Sequence, residues 1–109
     1  MSYKVKFTDT AKEDLLNIAT YIAEQSKDKA TAIRFVNELR ERTKQLEFFP
    51  ESGFLPDDRV MKSAGHRFLL HKEHLIFYHF ESEEGASYIL AVFNEKRDYT
   101  RFLRKFVGK

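Results

Sequence analysis

Hydrophobic and polar residues alternate at the start of the chain. Tyr3, Val5 and Phe7 fall on one side and Lys4 and Lys6 on the other, which predicts a half-buried strand. The period then lengthens. Ala11, Leu15, Ile18, Ala19 and Ile22 recur at helical spacing, while Asp14, Asn17, Glu24 and Gln25 are free to face water. The spacing predicts a helix from about Asp9 to Gln25. Thr8, Asp9 and Thr10 offer helix-start chemistry: Thr10 with Glu13 fits a capping box, and Asp9 suits the positive end of the helix dipole. Ser26 to Lys29 is a polar break with Ser26 or Asp28 as the next cap. Ala32, Phe35, Val36, Leu39, Thr43 and Leu46 predict a second amphipathic helix running to about Phe48. So short a break folds two helices into an antiparallel hairpin.

Pro50 and Gly53 end the helical pattern and open a loop to about Asp58. Arg59 to Lys62 reads as a short strand. His66 to His71 is a strand with His66, Phe68 and Leu70 on one side and Arg67, Leu69 and His71 on the other. Lys72 and Glu73 form a tight turn without the Asn-Gly chemistry such turns prefer. His74 to Phe80 is mostly apolar and central, and Glu81 to Gly85 is a second hairpin loop. Ala86 to Phe93 is nearly continuous in apolar residues, as a strand covered on both faces would be. Strands joined by short loops pair antiparallel. The predicted order is therefore β-α-α-β-β-β. It gives a two-layer α+β domain with the helical hairpin on a small, mainly antiparallel sheet. The tail, Asn94 to Lys109, places Tyr99, Phe102, Leu103 and Phe106 between cations at helical spacing and predicts a short amphipathic C-terminal helix.

The 109 residues suit a single domain, and 42% hydrophobic and 15% aromatic content suffices for a compact core. No cysteine is present, which excludes a disulfide framework and a cysteine-based zinc site and suits a reducing compartment. The N-terminus lacks the apolar run of a signal peptide, and no segment approaches the roughly 20 apolar residues of a membrane span. A cytoplasmic protein with no membrane partner is expected. The formal charge is only +2, but its distribution is uneven. From Asp9 to Glu47 seven Lys/Arg meet eight Asp/Glu, the balance of a solvated outer face. The tail carries six cations against two carboxylates, net +4. Such a tail is either a docked helix that solvates its cations or a contact surface for an acidic partner or a phosphate backbone. The four histidines, His66, His71, His74 and His79, lie close together. His66 and His74 could face each other across the hairpin, but strand parity sends His79 to the face opposite His74. No carboxylate spacing supports a metal site. His74 could serve as a general base.

Several stretches together resemble the ParE/RelE superfamily, the toxins of bacterial type II toxin–antitoxin (plasmid stabilisation) pairs. They are FTDTAKEDLLNIATYIAE, FPESG, Arg67-Phe68, HLIFYHF with Tyr78, and AVFNEKRDYTRFL. The resemblance spans nearly the whole chain and implies a helical hairpin on a small sheet, a cognate antitoxin as partner and no small-molecule cofactor. It also implies one of two mechanisms. RelE-like members cleave mRNA in the ribosome; ParE-like members inhibit DNA gyrase by protein–protein contact. Metal-free RNA cleavage needs a base for the 2′-hydroxyl, cations for the phosphorane-like state and a proton donor. Under that alternative Arg67, Arg97 and Tyr99 are the catalytic candidates. RelE-like nucleases, however, carry an arginine two residues past the position of Glu73, where this chain has Leu75. The ending VFNEKRDYTRFL is more similar to the ParE branch, with Asn94 where histidine is frequent. The resemblance thus implies a gyrase-directed toxin whose partner-binding residues are Arg97, Arg101, Arg104 and Lys105. Plainer roles stand beside these. Arg67 could pair with a helix carboxylate or lie in water, Arg97 and Asp98 could form a local ion pair, and Tyr99 could be a core-edge aromatic.

Overall fold

The computed structural model describes residues 2–57, 59, 62 and 64–106, the last by its backbone. The chain opens with β1 (Lys4–Phe7), α1 (Asp9–Ser26) and α2 (Lys29–Arg42), followed by a 3-10 turn (Thr43–Glu47). The sheet then continues with β2 (His66–His71), β3 (His74–Glu81) and β4 (Ala86–Asn94), and α3 (Glu95–Phe106) closes the chain. Strand order is β1-β4-β3-β2. β1 runs parallel to β4, with Val5 opposite Ser87, and the two hairpin pairings are antiparallel. The described Arg59 and Lys62 are helical rather than extended, while Val60 and Met61 of the expected strand lie outside the described residues.

The α1 cap is Thr8 and not Thr10. Its hydroxyl oxygen accepts from the Ala11 N–H at 3.1 Å and its O–H donates to the Ile89 carbonyl at 3.0 Å. One side chain thus satisfies an orphan helix donor and ties the helix start to β4. Asp28 caps α2, accepting from the Ala30 N–H. α2 stops earlier than its apolar pattern because the Thr43 hydroxyl donates to the Arg40 carbonyl and tightens the last turn into 3-10 winding. Leu46 stays in phase and is fully buried.

The expected two layers are three. The hairpin covers one sheet face, where Leu15, Ile18 and Leu39 pack with Leu69, Ile76, Ile89 and Val92. α3 folds back over the other face, where Phe102 joins Phe68, Phe77 and Phe93. The continuous apolar run of β4 therefore has a covering layer on each side.

A loop anchor completes the frame. The buried Tyr78 hydroxyl donates to the Pro50 carbonyl at 2.8 Å and accepts from the Gly53 N–H at 2.9 Å. Phe54 then bridges Phe68 on the outer edge of β2 through two 2.9 Å backbone bonds. Position 53 requires glycine: a Cβ there would sit 2.6 Å from the Tyr78 oxygen and 2.7 Å from the Phe68 carbonyl oxygen.

Candidate partner-binding cleft

α3 starts where β4 leaves the sheet. The Glu95 N–H donates to the Glu73 carbonyl at 2.8 Å, pinning the helix start to the β2–β3 turn. The Asn94 side-chain oxygen accepts from the Arg97 N–H at 2.9 Å, the bond of a helix cap. From this start the helical period puts Phe102 into the aromatic core, with Tyr99 and Leu103 half-buried beside it. The same period leaves Arg97, Arg101 and Lys105, four residues apart, on one stripe. That stripe faces α1 across a cleft of about 360 Å³, floored by Ile18, Ala91, Phe93 and Phe102. The opposite wall is a stripe of α1: Thr10, Asp14, Asn17 and Tyr21.

The charges in the cleft are layered. Asp98 takes Arg97 at 3.1 Å and Arg101 at 3.6 Å, and its side chain is 16% exposed against 83% for Arg101. Asp14 accepts from the Val92 N–H at 2.9 Å. Burial pushes its carboxyl above the usual range, opposed by the Val92 bond and by the charge of Lys105. The Arg97 guanidinium also lies over the Tyr21 ring, 4.7 Å from its centroid. Asp98 holds its pKa above the ordinary arginine value, so it remains a cation at every relevant pH. The carboxylates sit low and are engaged, and the cations rise above them towards water.

The other candidate residues lie elsewhere. Arg67 donates to the Gly53 carbonyl at 2.9 Å, bracing the loop anchor rather than pairing with a helix carboxylate. In register Arg67 stands opposite Tyr78, and Tyr78 opposite Ile89. Arg97 follows Asn94, which is opposite His74 at the far end of the sheet. Arg67 and Arg97 are therefore not brought together. Tyr99 stacks with Phe93 and Phe102 at the edge of the aromatic core. Arg104 is exposed in the last described turns of α3, next to Lys105.

The histidines pair differently from the expectation. His66 meets His79 with ring centroids 5.3 Å apart, and His71 stands opposite His74. The β2–β3 turn occupies Lys72 and Glu73, so strand ends pair with strand ends and His66 cannot reach His74. His74 and His79 do lie on opposite faces, the one against Phe35 of α2 and the other beside His66. Burial lowers the His66 pKa, helped by His79, and burial lowers that of His74, helped by Arg97. The His71 ring nitrogen lies 2.9 Å from Glu38. Among the described residues no group of three His, Asp or Glu is placed to hold a metal ion, and no helix is long and apolar enough to cross a membrane.

Asp14, expected to face water, is instead half-buried against β4, and the sequence reading assigns Tyr21 no role. A signal existed: Thr10, Asp14, Asn17 and Tyr21 form one polar stripe along α1, ending in an aromatic that the buried face does not use.

No curated protein matches the chain by sequence. Among solved structures, one of the chromosomal ParDE toxin–antitoxin system of P. aeruginosa superposes with a TM-score of 0.69 at 20% identity. That match covers 84% of this chain and 95% of the other. The toxin–antitoxin complex RelBE2 of Mycobacterium tuberculosis gives 0.56 at 21% identity, covering 86% and 92%. The isolated RelE toxin of E. coli gives 0.51 at 14% identity, covering 96% and 99%. At these identities the likeness is one of fold. The family model for the ParE toxin of the type II toxin–antitoxin system parDE matches residues 5–99. From its first strand into the cationic helix that walls the cleft, the chain belongs to the ParE toxin family.

Proposed function

We propose that this toxin acts by protein–protein contact, inhibiting DNA gyrase through the cationic side of α3, and that an antitoxin neutralises it. Membership of the ParE family supports the toxin role. The names of the structural neighbours, toxin–antitoxin systems and complexes, support the antitoxin. The observation that carries the choice of target is Leu75. It occupies the position where RelE-like nucleases are expected to place arginine. It is 3% exposed and lies beneath α3 in the aromatic core. A leucine in a dry core neither binds phosphate nor moves a proton, and Arg67 and Arg97 lie towards opposite ends of the sheet. By contrast Arg97, Arg101, Arg104 and Lys105 share one helix whose apolar side is already committed.

The test adds purified toxin to a gyrase supercoiling reaction and, separately, to translating ribosomes with a defined mRNA. Loss of supercoiling with intact message is the expected result; message cut at the ribosome with normal supercoiling would sink the reading. Arg97→Ala is expected to weaken growth arrest and raise the inhibitory concentration about tenfold, the equivalent of about 1.4 kcal/mol of binding. Charge substitution on α3 is cleaner than truncating at Thr100, because removing Phe102 would uncover the aromatic core.

A further inference from the structure

A second surface lies at the other end of the sheet. Phe48 and Phe49 are 60% and 67% exposed, and with Tyr3, Phe80 and Glu51 they line an open pocket of about 470 Å³. Apolar residues exposed singly need no explanation, but these rings converge and are held in place. The Phe48 and Phe49 N–H groups both donate to the Gln45 carbonyl, at 3.2 and 2.8 Å. The Gln45 side chain donates to the Ser52 hydroxyl at 2.6 Å, and the Tyr78 hydroxyl holds the Pro50 carbonyl from beneath. Tyr3 meets Phe80 edge-on, with centroids 5.4 Å apart. A pocket of rings fixed in this way loses little side-chain entropy when it binds.

The charge around this pocket is the reverse of that on α3. Residues 45–54 and 80–88 supply the loop, Phe80 and the β3–β4 turn, and they hold five carboxylates and no Lys or Arg. Lys4 and Lys6 stand nearby on β1, but strand alternation turns them to the face away from Val5 and Phe7. Phe80 is in phase with Ile76 and Tyr78, on the hairpin face, whereas α3 packs on the face of Phe77. The two oppositely charged surfaces of one copy therefore face away from each other, while those of two copies can meet. Ring faces beside a carboxylate suit a guanidinium, through cation–π contact and an ion pair. Arg101, 83% exposed, and Arg104, also exposed, are neighbours one turn apart on α3. We infer that the toxin associates head to tail, with the Arg101 and Arg104 side of α3 in one copy seated in the Phe48–Phe49 pocket of the next. The two surfaces differ, so the contact is heterologous, and unless the rotation closes a ring it builds open chains. Each joint covers cations of α3 and leaves them exposed only at one end of a chain. The association does not depend on the target proposed above.

The experiment is sedimentation velocity on the full chain, from dilute solution up to its solubility limit, at low and high salt. Two variants each remove one surface: Phe48→Ser/Phe49→Ser the pocket, and Arg101→Gln/Arg104→Gln the helix. Glu51→Lys is a second pocket variant, and Arg34→Gln, exposed on α2, is the matched control. Circular dichroism verifies that each is folded. The wild type and the control are expected to form larger species as concentration rises, and less so at high salt. Each surface variant alone is expected to lose about tenfold or more in affinity for its own kind. Mixed in equal amounts, the pocket and helix variants are expected to regain one joint and stop at a dimer, because each keeps the surface the other lacks. A wild type that stays monomeric throughout overturns the inference. So does undiminished association of the helix variant, since the pockets would then pair with each other. A mixture that fails to recover the dimer overturns it as well. A short polyarginine peptide that binds a strictly monomeric wild type, and not the pocket variants, assigns the pocket to a basic segment of another protein and overturns self-association too.

Discussion

The two faces of the sheet are built from different materials. The hairpin face is mainly aliphatic: leucines and isoleucines of α1 and α2 meet those of β2, β3 and β4, with Tyr78 buried among them and Phe7 and Phe35 half-buried at the margin. Two helices of balanced charge close it. The α3 face is aromatic: Phe68, Phe77, Phe93 and Phe102 contact one another in edge and stacked arrangements with centroids 4.4 to 6.5 Å apart. One 12-residue helix carrying five cations and two carboxylates closes it. An isolated helix of that length is marginal in water, so α3 depends on its aromatic footing. The lesson is a division of labour. The aliphatic face holds the fold together, and the aromatic face holds a charged surface in place.

The largest effect should come from the aliphatic side. Ile76 is fully buried between the sheet and the hairpin, and Ile76→Ala is expected to cost about 4 kcal/mol, within the range for large-to-small core changes. A urea titration should show the whole chain losing stability in one transition. A loss under about 1 kcal/mol would mean that this face is not the main core.

Phe102→Ala is expected to cost less, about 3 kcal/mol, because α3 can undock while the rest stays folded. Hydrogen exchange separates the two cases. Protection should vanish from α3 and persist in α1 and β3. Uniform loss of protection would erase the distinction between the faces.

Tyr78→Phe sharpens the comparison from within the aliphatic core. It leaves the Gly53 N–H and the Pro50 carbonyl without the partner they share, at about 2 kcal/mol, and should loosen the loop before the sheet. Thermal unfolding, with proteolysis of the loop between α2 and β2 as the local readout, checks it.

The smallest effect is the pH response. His66 lies on the aromatic side and His74 on the hairpin side, and both folded pKa values lie below the ordinary 6.5. The unfolded chain then binds more protons than the native one just below pH 6.5. Stability from these groups is complete above 6.5 and falls as the pH drops towards the depressed values. Urea midpoints measured on either side of 6.5 should show the decline, and His66→Gln and His74→Gln should each flatten part of it. A slope that neither substitution alters would place the titrating group elsewhere.

Much of this architecture was legible beforehand. The alternation in Tyr3 to Phe7, the helical spacing from Ala11 to Ile22 and the unbroken apolar run of β4 each report how many sides of an element are dry. That property is local. The amphipathic tail was legible for the same reason, down to the contrast between Phe102 and its flanking cations. The misreadings came where distant groups competed. Thr8 outranked Thr10 as a cap because β4 offered its hydroxyl a carbonyl. His66 met His79 because the turn fixed the register.

Periodicity thus determined the elements, their order and the sidedness of α3. Tertiary structure decided what each side looks at: Arg67 at the Gly53 carbonyl, Arg97 on the ring of Tyr21, Asp14 beneath Val92. The physical reason is that a side chain's phase on its own element is set by bonds between near neighbours. The residue facing it across a gap is set by sheet register and helix docking, which depend on the whole core at once.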